Sequence, residues 1–399
     1  MEIRSIPKTW QDGVAKSITF IVTKDCQLAC KYCYLVGKNN KERMTWDIAR
    51  KAVDYILDHK SLFPEKSVIW DFIGGEPFLE IDLIDRVCEY IKKQLYIRNH
   101  DWFNSYRISF ATNGINYNTR EVQDFIKKNI KHLSIGITID GTKAKHDLNR
   151  VWKENPEKGS YEDVIKNIPL WLEQFPISST KVTVSSPDIP YIKESVLHLF
   201  SLGIKTVNIN VVFEDVWMEE DDIKFEKQLI ELADEIIDND LYNEFICSFF
   251  DEFIGKPMDP ELENVNWCGA GKMLAVDAAG NFYPCTRFAA YSLREKRPII
   301  IGNVNDGIDQ NKLRPFLTLD RITQSPQECI DCEVASGCAW CQGENYDAAK
   351  TNTIYQRATA ICKMHKARVR ANNYYWNRLF RKLEKTGELK PESKPTVIC

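Results

Sequence analysis

Between residues 17 and 211, short runs of β-branched and aromatic residues alternate with segments whose apolar side chains recur at helical spacing. The runs at 17–22, 68–72, 107–111, 133–139, 181–185 and 206–211 read as strands. Between them, 47–59, 81–96, 119–128, 161–175 and 192–202 read as amphipathic helices. Strands and helices in strict alternation require a parallel sheet with crossover helices, so the fold class is α/β, a partial (β/α)6 TIM-like barrel. In such folds ligands lie at the carboxyl ends of the strands. Segments 221–238 and 241–254 read as two further helices, acidic outside and apolar within, and 256–264 as a Pro- and Glu-rich linker. A last helix beginning near Arg357 carries Tyr374, Tyr375 and Trp376, expected to dock it on the barrel, and Lys and Arg expected on a solvated face. The chain thus divides into a barrel (1–215), a helical linker (216–264), a small cysteine-rich domain with the last helix (265–384) and a flexible tail (385–399).

Composition narrows the function classes. A net charge of −4 over 399 residues gives no reason to expect nucleic acid or an anionic membrane as partner. Residues 1–16 carry mixed charges without an apolar core, and no later run is long enough to span a bilayer, so a cytoplasmic protein is expected. In that compartment 13 cysteines argue for metal rather than disulfides. Three fall within 26–33 and seven within 268–362; Cys88, Cys247 and Cys399 stand alone. Cys88 and Cys247, each on the apolar side of an expected helix, read as buried structural thiols, and Cys399 as part of the tail.

The chemistry gathers where strands end. Cys26, Cys30 and Cys33 follow the first strand; their thiolates can wrap one corner of a cuboidal iron–sulfur cluster and leave one iron open. Zinc would want a fourth ligand close by, and a cytosolic disulfide would be reduced. Gly74-Gly75-Glu76-Pro77 follows the second strand, Thr112-Asn113-Gly114 the third and Thr138-Ile139-Asp140-Gly141 the fourth. Glycines there permit close backbone approach, and Glu76 can accept from an ammonium group. The C-x3-C-x2-C spacing with Tyr32 before its last cysteine, followed by the GGEP segment, resembles the radical S-adenosylmethionine (SAM) superfamily. The resemblance implies that the open iron chelates SAM, that Gly74, Gly75, Glu76 and Pro77 bind its amino group, and that Thr112 and Asn113 approach its ribose. Tyr32, Thr138 and Arg150 are further SAM contacts on the same resemblance, and the segment from His146 to Arg150 resembles one of the peptide- and protein-modifying branch.

Farther on stand Cys268, Gly280-x4-Cys285, Cys329-x2-Cys332-x5-Cys338-x2-Cys341 and Cys362. A zinc ribbon of Cys329, Cys332, Cys338 and Cys341 would leave Cys268, Cys285 and Cys362 without a role. The series resembles the SPASM domain, which implies two auxiliary [4Fe–4S] clusters and three in all. Cys268, Cys285 and Cys341 would hold auxiliary cluster I; Cys329, Cys332, Cys338 and Cys362 would hold auxiliary cluster II. The last pair is spaced x2 where the family usually has x3. Cluster I then has three visible ligands, its fourth position open to a substrate thiolate, a solvent molecule or an unrecognised residue.

Such enzymes reductively cleave SAM to a 5′-deoxyadenosyl radical that abstracts hydrogen from an unreactive C–H. The expected activity is maturation of a ribosomally made, Cys-containing peptide by a thioether or another side-chain crosslink; the segments 268–273, 283–288 and 301–304 resemble maturases of peptides with repeated C-x3 units. The alternative is an anaerobic sulfatase-maturating enzyme that makes formylglycine. In that family an aspartate base follows the Tyr-Pro-Cys cysteine, whereas Thr286 follows Cys285 here, so no catalytic base is assigned. An iron–sulfur electron carrier, the non-enzyme alternative, would not need the strand-end motifs. Implied partners are the precursor peptide, a reductant such as flavodoxin or ferredoxin and, with only 25 residues before Cys26, a separate leader-binding protein.

Overall fold

The computed structural model describes residues 14–388 except 39 and 263–267. Expectations for the chain before Val14, for the end of the 256–264 linker and for most of the tail, Cys399 included, lie outside the described residues.

Strand β1 (Ala15–Thr23) is buried along both faces, the pattern of a strand inside a covered parallel sheet. It pairs in parallel with β2 (Ser67–Gly74), followed by β3 (Tyr106–Thr112) and β4 (Leu133–Ile137). The remaining expected strands, β5 (Ser179–Val184) and β6 (Thr206–Val211), are parallel as well, and a short β7 (Ile246–Cys247) extends them. The ladder is interrupted between β4 and β5, giving two sheets. There the Thr180 hydroxyl donates to the Ile137 carbonyl (2.8 Å) and accepts from the Ile139 N–H (3.1 Å), in place of a backbone ladder. On its other side β1 pairs in parallel with β8 (Leu274–Val276) from the cysteine-rich segment, and β9 (Asn281–Tyr283), β10 (Gly302–Asn303) and β11 (Gly307–Ile308) continue antiparallel.

Alternate residues of the strands bury against the helices, for example Phe20, Trp70, Phe72 and Phe110. The helix Trp46–Asp58 shows the rule: Thr45 caps it by accepting from Ile48 N, and Ala49, Ala52, Val53, Ile56 and Leu57 form its buried stripe.

Four helical expectations require correction. The helix expected at 161–175 is two, Tyr161–Ile165 and Ile168–Gln174, because Pro169 in the second cannot tolerate the carbonyl four residues earlier. The helix expected at 241–254 is a single turn, Leu241–Asn243, followed by β7 and irregular chain. The pairing of β7 with β6 and the Ser248 hydroxyl, which accepts from Ile209 N and donates to Ile209 O, draw this chain into the sheet, while Phe249 packs against Phe225 and Phe250 stacks on Tyr375. Cys247 is therefore buried on a strand, not a helix. The last helix is Cys362–Thr386, starting after Arg357. Its basic face is not simply solvated: Arg370 pairs with Glu226 and Arg378 with Asp234 and Asp238, while the Tyr374 hydroxyl donates to Asp234 at 2.7 Å. The helix thus docks on the helix Asp221–Asp238 through charge as well as aromatic packing.

Thr180→Val leaves the Ile137 carbonyl and the Ile139 N–H without their hydroxyl partner and is expected to cost about 1–3 kcal/mol in chemical denaturation. Thr180→Ser is expected to restore most of it.

Candidate active site

The cysteine loop is held by backbone on two sides. Gly75 N donates to Thr23 O (2.9 Å) and Glu76 N to Asp25 O (2.8 Å), drawing the second strand's exit against the first. No side chain fits at this junction: a Cβ on Gly74 would lie 2.2 Å from Thr23 O, and one on Gly75 would lie 2.1 Å from Asp25 O. These glycines thus have a packing role whatever they touch in a ligand. Across the loop, Ala29 N donates to Val151 O and Lys31 N to Asn149 O, at 2.9 and 3.0 Å. Cys26 is buried, while Cys30 and Cys33 are half-buried. Burial, with the nearby Glu76 carboxylate, pushes the Cys26 thiol up to about 11, so metal uptake there requires loss of a firmly held proton.

The other strand-end motifs converge on the same loop. The Glu76 carboxylate is buried and accepts from Phe78 N (3.1 Å), the Thr112 hydroxyl (2.7 Å) and Asn113 N (2.7 Å). Burial raises its pKa against those hydrogen bonds. Asn113 Nδ2 donates to Gln27 Oε1 at 3.1 Å and lies 3.9 Å from Cys26 Sγ. Pro77 opens the turn Pro77–Glu80, and half-buried Thr138 donates its N–H to Thr112 O. Tyr32 donates its hydroxyl to Asp140 and accepts from Arg150 Nη1 at 3.0 Å. Burial would push the Asp140 carboxyl up, but the Lys145 and Arg150 charges and the Tyr32 hydrogen bond hold it below the usual range. Arg150 Nε is buried without a partner, a donor a bound group such as the SAM carboxylate can take. The residues from Cys26 to Arg150 assigned by resemblance thus surround one location, and they fit a small zwitterion beside a three-cysteine cluster. Asp140 stood unassigned in its motif, although its strand-end position was a usable signal.

The seven later cysteines fall into two sets. Cys329, Cys332, Cys338 and Cys362 line one cavity of about 80 Å³ with Arg357. Cys268 and Cys341 both push up the thiol of buried Cys285, and Gln342 N donates to Cys268 Sγ at 3.3 Å. Among the described residues no three His, Cys, Asp or Glu side chains converge on a single-ion site. A cuboidal cluster needs its thiolates farther apart than one ion does.

A cleft of about 360 Å³ opens between the loops, lined by Lys31, Tyr32, Cys33 and Tyr34 on one side and Glu214, Arg287, Arg294 and Asp347 on the other. Arg287, two residues after Cys285, pairs with Glu214 (2.9 Å) and Glu344 (3.0 Å) and lies over the Tyr34 ring at 4.9 Å. The sequence reading missed this ionic ladder, because its members sit on segments far apart in the chain.

Comparison with known proteins agrees with this geometry. Residues 20–199 match the family model of the radical SAM superfamily. Residues 20–199 thus form a radical SAM domain and the chain is an enzyme; proteins of that superfamily bind SAM and a [4Fe–4S] cluster. It is 27% identical over 307 residues to an uncharacterized protein of Methanocaldococcus jannaschii, covering 76% of this chain and 92% of that protein. It is 29% identical over 175 residues to a cysteine-type anaerobic sulfatase-maturating enzyme of Clostridium novyi, 42% of this chain and 44% of that one. To the antilisterial bacteriocin subtilosin biosynthesis protein AlbA of Bacillus subtilis it is 24% identical over 282 residues, 68% of this chain and 54% of AlbA. Two solved structures share the fold. Native anSMEcpe with bound AdoMet and Cp18Cys peptide superposes with a TM-score of 0.67 at 18% identity, over 93% of this chain and 99% of that one. Streptococcus suis SuiB bound to precursor peptide SuiA gives 0.57 at 14%, over 86% and 75%. No helix among the described residues is long and apolar enough to cross a membrane.

One pH dependence follows from the buried network. His146 Nδ1 accepts from Asp140 N at 3.3 Å, so the neutral ring presents Nε2–H to the Ser160 hydroxyl at 3.0 Å. Burial, with Arg150 nearby, depresses its pKa to about 3. The unfolded chain therefore takes up this proton first, and stability falls as pH drops below the ordinary histidine value of about 6.5, by about 1.4 kcal/mol per pH unit. Denaturant titrations of wild type and His146→Gln are expected to show that slope in the wild type and a shallower one in the variant.

Proposed function

We propose that this chain is a peptide maturase that installs a thioether, or another side-chain crosslink, in a Cys-containing ribosomal peptide. The observation that carries the reading is the cleft joining Tyr32 and Cys33 to Arg287 beside the Cys268, Cys285 and Cys341 set. The barrel is proposed as 1–215, the helical linker as 216–264 and the SPASM domain as 265–384. Cys26, Cys30 and Cys33 hold the SAM cluster; Cys268, Cys285 and Cys341 hold auxiliary cluster I; Cys329, Cys332, Cys338 and Cys362 hold auxiliary cluster II. When bound, SAM and its cluster supply a 5′-deoxyadenosyl radical that removes a hydrogen atom.

The chain's own residues orient and protect that chemistry. Glu76, fixed by three donors, presents an acceptor for the SAM ammonium, and Arg150 a donor for its carboxylate. The buried Tyr32–Asp140–Arg150 chain locks that side of the loop. Opposite, Arg287 clamps the loop after Cys285 to Glu214 and Glu344, so the cleft wall is rigid beside cluster I. The peptide enters along this wall, where a substrate thiolate can complete cluster I. The peptide-bound SuiB neighbour and AlbA support this reading. The second reading, formylglycine formation in a sulfatase, is favoured by the Clostridium novyi relative and the anSMEcpe neighbour. Thr286, where that reaction needs a carboxylate, argues against it.

Anaerobic reconstitution is expected to yield about twelve irons per chain, the content of three [4Fe–4S] clusters. With SAM, dithionite and Cys-containing precursor peptides, mass spectrometry is expected to show loss of two hydrogens per site with the affected cysteines no longer alkylated. Formylglycine on a sulfatase peptide alone would select the second reading. Cys26→Ala is expected to abolish SAM cleavage; Cys285→Ala is expected to keep SAM cleavage and lose peptide product.

A further inference from the structure

The cavity lined by Cys329, Cys332, Cys338 and Cys362 contains a cation held in place from three directions. Arg357 Nη2 donates to Cys338 Sγ at 3.1 Å and Nη1 to the Ser325 hydroxyl at 3.3 Å. Its guanidinium carbon lies 4.6 Å from the centroid of the Trp340 ring, which is buried between Cys338 and Cys341 in sequence. A planar, permanently charged group fixed by two hydrogen bonds and a ring face is a built feature, unlike a solvated surface arginine. The other ionisable groups lining the cavity are Glu328, Lys366 and His365. Burial lowers the His365 pKa, and its Nε2 lies 2.7 Å from Val334 O, so the ring is engaged with the backbone rather than with a cysteine. Among these described groups, Arg357 is the one that donates to a cysteine sulfur.

Four thiolates around an iron–sulfur core carry net negative charge, and uptake of an electron adds one more. A hydrogen bond to a ligand sulfur and a fixed positive charge both stabilise the more negative state and raise the reduction potential. We propose that Arg357 sets the potential of the cluster bound by Cys329, Cys332, Cys338 and Cys362, holding it high enough to take the electron left over from crosslinking. The balance requires such an acceptor. One substrate carbon gives up a hydrogen atom, the cysteine sulfur gives up its proton to solvent, the C–S bond forms, and one electron remains. Trp340, whose ring lies under the Arg357 guanidinium, directly precedes Cys341 in the chain. The inference rests on the proposed ligand sets.

The test is an EPR-monitored redox titration of the reconstituted full chain, with iron and sulfide counted on each sample. Arg357→Gln is expected to keep about twelve irons and to move one auxiliary signal to a more negative potential, leaving the SAM-cluster signal in place. Arg357→Lys, which keeps the charge, is expected to lie between it and wild type. Unchanged potentials in a fully loaded Arg357→Gln would overturn the proposal, as would loss of one cluster from that variant while Arg357→Lys stays loaded, since the residue would then serve assembly. About four irons in the wild type itself would instead remove the auxiliary-cluster reading beneath it.

Discussion

The close approach of Gly74 and Gly75 to the backbone of Thr23 and Asp25 is the constraint on which the site depends. At 2.1–2.2 Å a Cβ would overlap a carbonyl oxygen, so only bare backbone lets the second strand's exit lie against the first. That contact aims Cys26 and Glu76 into one space and lets the third strand bring Thr112 and Asn113 onto the same carboxylate. A parallel sheet has all its carboxyl ends on one edge, so each strand can contribute one group there.

Electrostatics then does what packing alone does not. Glu76, Asp140, His146 and Arg150 are all buried, and each is tolerated because a partner is supplied. Together they form a buried, hydrogen-bonded polar wall beside the cysteine loop. A second charged wall, from Glu214 through Arg287 and Glu344 to Arg294 and Asp347, faces it across the cleft. The chain segment that carries Cys268 and Cys285 is tied to the parallel sheet through β8, in register with Ile18, Thr19 and Phe20 of β1. Both ends of the cleft are therefore set by one strand.

Much of this was legible in the sequence. The six parallel strands, the helix Asp221–Asp238 and the strand-end motifs follow from periodicity and punctuation, because local hydrophobic pattern and turn chemistry decide them. Of the two cysteine sets that the resemblance implies, Cys329, Cys332, Cys338 and Cys362 line one cavity, and Cys268 and Cys341 lie near Cys285. Segment 241–254 was misread because its apolar residues satisfy a helical stripe on paper, while Ser248 bonds Ile209 on both sides and draws the chain into the sheet. The last helix's basic face was misread because sequence cannot say which acidic face lies opposite.

The sequence by itself determined what each strand end carries: three cysteines at cluster spacing, glycines before Glu76, and cysteines enough for further metal. These are properties of neighbours in the chain, and local chemistry suffices to read them. Only the tertiary structure decided that Asp140 and Arg150 meet at Tyr32, that Arg287 bridges Glu214 and Glu344, and that Arg357 lies against Cys338. Most of those partners are tens of residues or more apart in the chain. Their pairing is set by how helices and strands pack, and no local pattern encodes it.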